Sequence, residues 1–334
     1  MNKKRFLTTC TTMAAFLLMA ALALTACKGG KTEKEAEATV EEEEEMMDPD
    51  DDSFFGNYRN YFKTEEPKEV TVKTAKEFIK ALKSNRHIII PHPETLELTE
   101  AIDELVDEGE LFEYDRSYSQ KGVYYNDEYD GKSLILVGLK NLFIEGTAGE
   151  GAHLEVTPRY AEVIYLKDCS NVVLCNLTMG HTDAGDCSGD VVYAEGSSEI
   201  IVDKCSLYGC GVNGLQADHS ESLLLRNSEF FGCSDCGIYI YNTNDVTVKG
   251  CKIYDNMSGV SVGEYCKDII FDHCTFEDNH GQLFRCWSEI RVKNSSIEHH
   301  NGDDTDNVRF SNCDVNMDYR DSDNYADVEE DYEE

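Results

Sequence analysis

The 334-residue sequence predicts an all-β fold, a single-stranded parallel β-helix of about eight coils with an N-terminal helical cap. Three observations predict it. First, one apolar pattern returns between residues 141 and 317, in "NLFIEG", "NVVLCNLTM", "EIIVDKCSLYG", "SLLLRNSEFFG", "DVTVKGCKIYD", "DIIFDHCTFED", "EIRVKNSSIEH" and "NVRFSNCDVNM". Its central slot holds Ile144, Leu174, Val202, Leu225, Val248, Phe271, Val292 and Phe310, separated by 30, 28, 23, 23, 23, 21 and 18 residues. Second, each copy carries short alternating runs, such as "DVTV" and "GIYIY", divided by Gly, Asn or Asp, which is the pattern of brief strands joined by tight turns. Third, no copy contains the longer run at 3.6 spacing that a helical repeat needs, and a unit of about 22 residues made of short strands is one turn of a solenoid.

Taken in chain order, residues 1–26 read as a signal peptide: Lys3, Lys4 and Arg5, an apolar run, then small residues before Cys27. Leu24-Thr25-Ala26-Cys27 resembles the lipobox of bacterial lipoproteins, which implies cleavage before Cys27 and acylation of its thiol. The lipid bilayer is then a partner through acylated Cys27, held by more than one acyl chain as stable anchoring requires. The alternative is a plain signal followed by an incidental cysteine. Residues 27–67, "CKGGKTEKEAEATVEEEEEMMDPDDD…", form an acidic linker too poor in core residues to fold. Its acids close behind Cys27 resemble the surface-export signal of Bacteroidetes lipoproteins. The expected localisation is therefore the bacterial cell envelope, lipid-anchored at the outer membrane or cell surface.

Residues 68–131 read as the cap and a first irregular coil. Thr74 is placed to cap a helix with Phe78, Ile79 and Leu82 on one face, and "LTEAIDELVDE" adds a second. A cap is required because the first coil otherwise presents an unpaired apolar end. Regular coils run over 132–320, beginning at "KSLILVGL", and 321–334 is an acidic tail.

Removing the signal leaves 30 − 3 = 27 basic residues against 66 acidic ones, a net charge of −39. Nucleic acid is excluded as a partner, since phosphate binding rests on Lys/Arg clusters absent here. A polyanionic polysaccharide is repelled unless cations bridge it. The chain is expected to be a monomer.

The repeat resembles the right-handed parallel β-helix family, the superfold that includes pectate lyases, over about 180 residues. The resemblance implies a right-handed coil and N-terminal caps and stacked polar ladders of the kind that family has, and it assigns no activity. The Arg-x-Pro-x-x-Arg base of pectate lyases and the paired Asp motifs with a basic segment of galacturonase-like members have no counterpart here. "NHGQ", at His280, is similar to a His-Gly motif of galacturonases, but stands alone. "HHNGDD" reads as an end-of-helix loop.

Twelve cysteines besides Cys27 remain in the mature chain. In an exported protein they suggest a disulfide framework. One repeat column, however, reads Leu177, Cys205, Ser228, Cys251, Cys274, Ser295, Cys313, so the position wants a small buried side chain and not a bond. A second column, Cys210, Cys233, Asn256, Asn279, resembles the family's polar ladders.

Glycines at 214, 237, 259 and 281, taken as anchors, give one outward ladder of Tyr193, Gln216, Tyr239 and Ser261, and a second of Glu195, Asp218, Tyr241, Gly263 and Arg285. Tyr rings beside carboxylates resemble a sugar-binding face, in which rings stack on apolar sugar faces and acids accept hydroxyl hydrogen bonds. The binding candidates are Tyr193, Gln216, Tyr239, Tyr241 and Arg285. Glu195 and Asp218, on adjacent coils, have the short spacing of retaining glycosidases, and His181 is the third catalytic candidate. The bland alternative is surface Tyr that suits a sheet and acids that keep the chain soluble. Around "GHTDAGDCSGD" the coils are longer than the rest, so His181, Asp183, Asp186 and Asp190 could ligate Ca²⁺ or supply acid/base groups, or form a solvated turn. Asp183, Asp186 and Asp190 are the metal candidates and Ca²⁺ the one suggested cofactor.

Together these point to a lipid-anchored envelope protein binding a glycan or another envelope component through its Tyr/acid face. A polysaccharide lyase or glycoside hydrolase, and a structural or adhesive spacer, stand as alternatives. "IIFDHCTF" resembles the "WIDHCTF" stretch of pectate lyases, but its Asp272-His273 slots hold Asp203-Lys204, Arg226-Asn227, Lys249-Gly250, Lys293-Asn294 and Ser311-Asn312 in other copies. Asp272 is then an outward residue and His273 a turn position that favours positive φ.

Overall fold

The computed structural model describes residues 67–117, 120–147, 151–182, 185, 188–209, 211–299 and 306–317. The signal peptide, Cys27, the acidic linker, Asp183, Asp186, Cys210 and the acidic tail lie outside the described residues.

Short strands wind into three sheets whose neighbours come from successive coils. The first has ten strands, from Lys68–Thr71 to Val308–Ser311; the second has nine, from Thr95–Glu97 to Asp314–Met317. The third has eight, from Gly122–Asp127 to Phe284–Cys286. Among the described residues every strand pair is parallel except Gly122–Asp127 with Lys132–Val137. The first sheet carries the apolar column read from sequence, each residue paired with the next from Ile144 through Leu174, Val202, Leu225, Val248, Phe271 and Val292 to Phe310. Two further strands extend it upstream, through Val70 and Ile88. The coil therefore begins before "KSLILVGL"; the 56-residue separation of Ile88 from its partner Ile144 hides the period.

Repeated columns also make the corners. Where the first sheet turns into the second, a single left-handed residue redirects the chain: Asn176, Lys204, Asn227, Gly250, His273, Asn294 and Asn312 have φ of 50–63°. That conformation costs a bulky L-residue about 1–2 kcal/mol, whereas Gly avoids the cost and Asn reduces it. His273 is such a corner. Asp272 differs from expectation: it is buried, accepting from Asn294 Nδ2 of the next coil at 2.9 Å, with His273 Nδ1 at 2.8 Å and Lys293 Nζ at 3.4 Å. Burial acts upward on its carboxyl, but the Asn294 hydrogen bond with the charges of Lys293 and His273 holds it below the usual range. It is an anchor between coils, and Asp203 repeats the arrangement with Arg226 and Asn227.

The cysteine column follows the same logic. The Cys205 and Cys274 thiols each approach two backbone carbonyls at 3.4–3.5 Å, and the Ser228 hydroxyl donates to Arg226 O at 2.7 Å. Serine also accepts, from Cys205 N to Ser228 Oγ and from Cys274 N to Ser295 Oγ, both at 3.0 Å. Cys and Ser interchange because each carries one hydrogen to the same carbonyl edge. Cys205, Cys233, Cys251 and Cys274 are buried thiols. Cys233 and Asn256 are joined through Cys233 N to Asn256 Oδ1 at 3.0 Å, and Asn256 to Asn279 through Nδ2 to Oδ1 at 3.0 Å.

Two helices close the first coil. Helix α1, Ala75–Ala81, is capped by Thr74, whose Oγ1 accepts from Glu77 N at 3.2 Å. Helix α2, Leu98–Asp107, has Glu97 as its cap. Phe78, Ile79 and Leu82 join Leu98, Ile102 and Leu105 in the main core, which runs into the coils. Among the described residues no helix is long and apolar enough to cross a membrane.

The corner geometry is directly testable. His273→Val should lower stability by about 1–2 kcal/mol, as a β-branched residue at positive φ demands. His273→Gly should stay within about 1 kcal/mol of the parent. Urea unfolding of the two variants measures the difference; equal effects would refute the corner assignment.

Candidate functional site: the face of the third sheet

Strand alternation sends every second side chain of the third sheet outward, and parallel register stacks those side chains. One outward ladder runs Tyr165, Tyr193, Gln216, Tyr239, Ser261, Arg285. Its neighbour runs Lys167, Glu195, Asp218, Tyr241. The assignment of Arg285 to the Glu195 ladder is corrected: Arg285 pairs with Ser261. Val260 pairs with Phe284, so Leu283, not Gly281, stands in the column of Gly214, Gly237 and Gly259, and the register slips by two. Tyr165 and Lys167, which head the two ladders, were missed because their coil lies beyond the clean 23-residue period.

Tyr165 and Tyr193 are stacked with centroids 4.6 Å apart. Tyr124, on the antiparallel strand Gly122–Asp127, and Tyr114 ahead of it pack with Ile135, Val137 and Tyr165 and cover this end. The face opens beyond Tyr193.

Glu195 and Asp218 do stand on neighbouring rungs, but each is engaged elsewhere. Lys167 Nζ is 2.5 Å from Glu195 and the Tyr165 hydroxyl donates to the same carboxylate. Burial acts upward on the Glu195 carboxyl; the hydrogen bonds from Lys167 and Tyr165 and the Lys167 charge outweigh it and hold the group below the usual range. An acid so stabilised as a carboxylate is a poor proton donor at neutral pH. Asp218 pairs with His219 Nδ1 at 2.6 Å.

His181 does not join them. It ends the strand Leu177–His181 in the second sheet, is buried, and its Nε2 bonds Ala161 O at 2.8 Å. Burial lowers its pKa, so the ring is neutral and donates from Nε2, leaving Nδ1 buried without a partner.

Ahead of the strands a third column faces the same side, with Glu162, Asp190, Asn213 and Cys236 on successive coils. Asp190 is 6% exposed; its Oδ1 accepts from Asn213 Nδ2 at 2.9 Å and Asn213 N at 3.2 Å. Burial pushes its carboxyl up to about 7, against the pull of Asn213. Burial also raises Glu162, which accepts from Ser133 Oγ at 2.5 Å. Asp235 is neutralised by Arg285 Nη2 at 2.7 Å, which also reaches Cys236 Sγ. Glu162 and Asp235 carry no repeat signal and were not legible from the sequence.

Asp190 is the one metal candidate among the described residues. No group of three or more His, Cys, Asp or Glu among them is placed to hold a metal ion. They do not make a Ca²⁺ site.

Aromatics gather at the far edge. Trp287, the chain's one Trp, follows the Val262–Cys286 pair and is 61% exposed. On the preceding coil Tyr265 is 69% exposed and has φ 62°, at a corner that Gly196, His219 and Asn242 occupy in other coils. Neither was legible in the sequence, since neither aromatic recurs in its column. A cavity of about 610 Å³ lies away from this face, at the cap, lined by Ile79, Leu82, Leu105 and Leu111 with Lys80, Lys83 and Lys121 at its rim.

A family model described as "Right handed beta helix region" matches residues 142–315. The chain belongs to this right-handed β-helix family. No curated protein sequence matches it. Similar solved structures include pectate lyase Pel9A, at 10% identity and TM-score 0.38 over 73% of this chain and 68% of that one. A Streptococcus pneumoniae surface adhesin, PfbA, gives 11% and 0.32 over 75% and 82%. The A-module of the Azotobacter vinelandii mannuronan C-5 epimerase AlgE4 gives 11% and 0.27 over 77% and 78%.

The raised Asp190 pKa has a signed consequence. The folded protein holds this proton from the ordinary aspartate range up to about pH 7, so the stabilisation is full below about pH 4 and is lost as pH rises to 7. Asp190→Asn, which never ionises, should therefore gain in Tm relative to the parent between pH 5 and pH 8. A Tm difference that does not change with pH would refute the buried, raised carboxyl.

Proposed function

We propose that the protein is an exported, lipid-anchored β-helix that binds a glycan along the open part of the third sheet's face. Acylated Cys27 tethers it to the cell envelope. The observation that carries the reading is the pair of exposed aromatics, Trp287 and Tyr265, at the edge of a face that also presents Tyr239, Tyr241 and Arg285. Flat rings beside amide, carboxyl and guanidinium groups suit sugars, which offer an apolar ring face and a rim of hydroxyls.

A carbohydrate-active enzyme is the second reading, favoured by Asp190 alone: a buried carboxyl near pKa 7 can donate a proton at neutral pH. Glu195 and Asp218, held by Lys167, Tyr165 and His219, act here as ligands for sugar hydroxyls.

A glycan array probed with residues 28–334, followed by titration of the best ligand, tests the proposal. Trp287→Ala should weaken that ligand about tenfold, within the range for loss of an aromatic contact, with circular dichroism unchanged. Silence across the array, or full affinity in the variant, would sink the binding reading. Reducing-sugar release or a new absorbance from unsaturated products would replace it with the enzyme.

A further inference from the structure

The polar end of this face is built unlike its aromatic edge. Asn213 is 2% exposed, and its carboxamide stands between two groups, donating from Nδ2 to Asp190 Oδ1 at 2.9 Å and to Gln216 Oε1 at 3.2 Å. Its own Oδ1 is buried with no hydrogen-bond partner. An orphaned buried carbonyl oxygen is destabilising, and this one belongs to a side chain hydrogen-bonded to half-buried Gln216, which stands beside Tyr193 on the proposed binding face. What it lacks is a donor.

Charge decides which donor. Along the same column Glu162 and Asp190 lie on the coils before Asn213, and Asp235 stands on the coil after it, next to Cys236. The two basic residues of the ladders are both engaged, Lys167 with Glu195 at 2.5 Å and Arg285 with Asp235 at 2.7 Å. A uronate carboxylate would bring negative charge to carboxyl groups with neither cation free to receive it, and it has no hydrogen to give Asn213. A sugar hydroxyl donates to Asn213 Oδ1 and accepts from its surroundings at no cost in charge.

Resting on the glycan-binding reading, we infer that Asp190, Asn213 and Gln216 form a hydroxyl-recognition subsite, and that the face takes uncharged glycans and rejects polyuronates. Gln216, joined to the Asn213 carboxamide through Nδ2 at 3.2 Å, is half-exposed, and its side chain has the rotamers to turn aside and admit a hydroxyl.

Affinity electrophoresis through gels containing a soluble β-glucan, xylan, galactomannan, polygalacturonate or alginate, with and without Ca²⁺, tests this on residues 28–334. The expected result is retardation by at least one neutral polymer and by neither polyuronate. Asn213→Ala should cut the neutral affinity about tenfold; Asp190→Asn, which preserves shape and guards against misfolding of the first variant, should cut it about fivefold. Polyuronate retardation equal to or stronger than that of the neutral polymers overturns the inference and leaves the glycan reading standing. So does neutral binding that both variants retain while Trp287→Ala loses it. Retardation by no polymer overturns both.

Discussion

The structure depends on one constraint: successive coils are hydrogen-bonded edge to edge, so every side chain sits about 4.8 Å from its counterpart one turn on. Any group that cannot tolerate its own likeness at that distance is excluded. Apolar side chains tolerate it well, which makes the first-sheet column from Ile144 to Val292 a continuous core. Asn tolerates it by donating to the Asn of a neighbouring coil, as Asn171 Nδ2 does to Asn141 Oδ1 of the coil before. Buried carboxylates do not, and each one repeated at a corner is offset by a partner, Arg226 for Asp203 and Asn294 for Asp272.

The same constraint accounts for the cysteines. A thiol in these columns has neighbours close enough for a disulfide by Cα distance, yet the corner already gives it carbonyls to point at. Burial raises the thiols as well, Cys169 and Cys236 to about 12 and Cys274 to about 11, which removes the thiolate needed for exchange. A chain with many cysteines can thus keep these as core residues.

What repeats was legible in the sequence, and what serves the face was not, because periodicity reports only the repeated part. The core column, the left-handed corners, the Cys/Ser column and the cap of α1 by Thr74 were all readable, since each rests on a residue type that recurs or on a local capping rule. Glu162, Asp235, Tyr265 and Trp287 each occur once in their columns and left no pattern. The misplacement of Arg285 has the same origin: Gly281 looked like the next anchor, but two added residues in that loop put Leu283 there instead.

Those irregular places are also where the stacking rule relaxes. A column position that is Gly196, His219 and Asn242 in turn is under a conformational demand, and Tyr265 meets it at a cost that the coil itself gives no reason to accept. Asp190 breaks the rule differently, as a buried carboxyl whose column neighbours include another carboxyl, Glu162, and whose one polar partner, Asn213, is itself left short of a donor. Both departures fall on the third sheet's side, one at each edge of the ladders, while the first sheet keeps its column regular through eight successive coils from Ile144 to Phe310. Left-handed corners occur on the first sheet as well, at Lys204 and His273, so strain alone does not single out a face. What singles out the third is the combination of exposed rings with a buried amide oxygen short of a donor, since a ligand that met both would return stability to the fold.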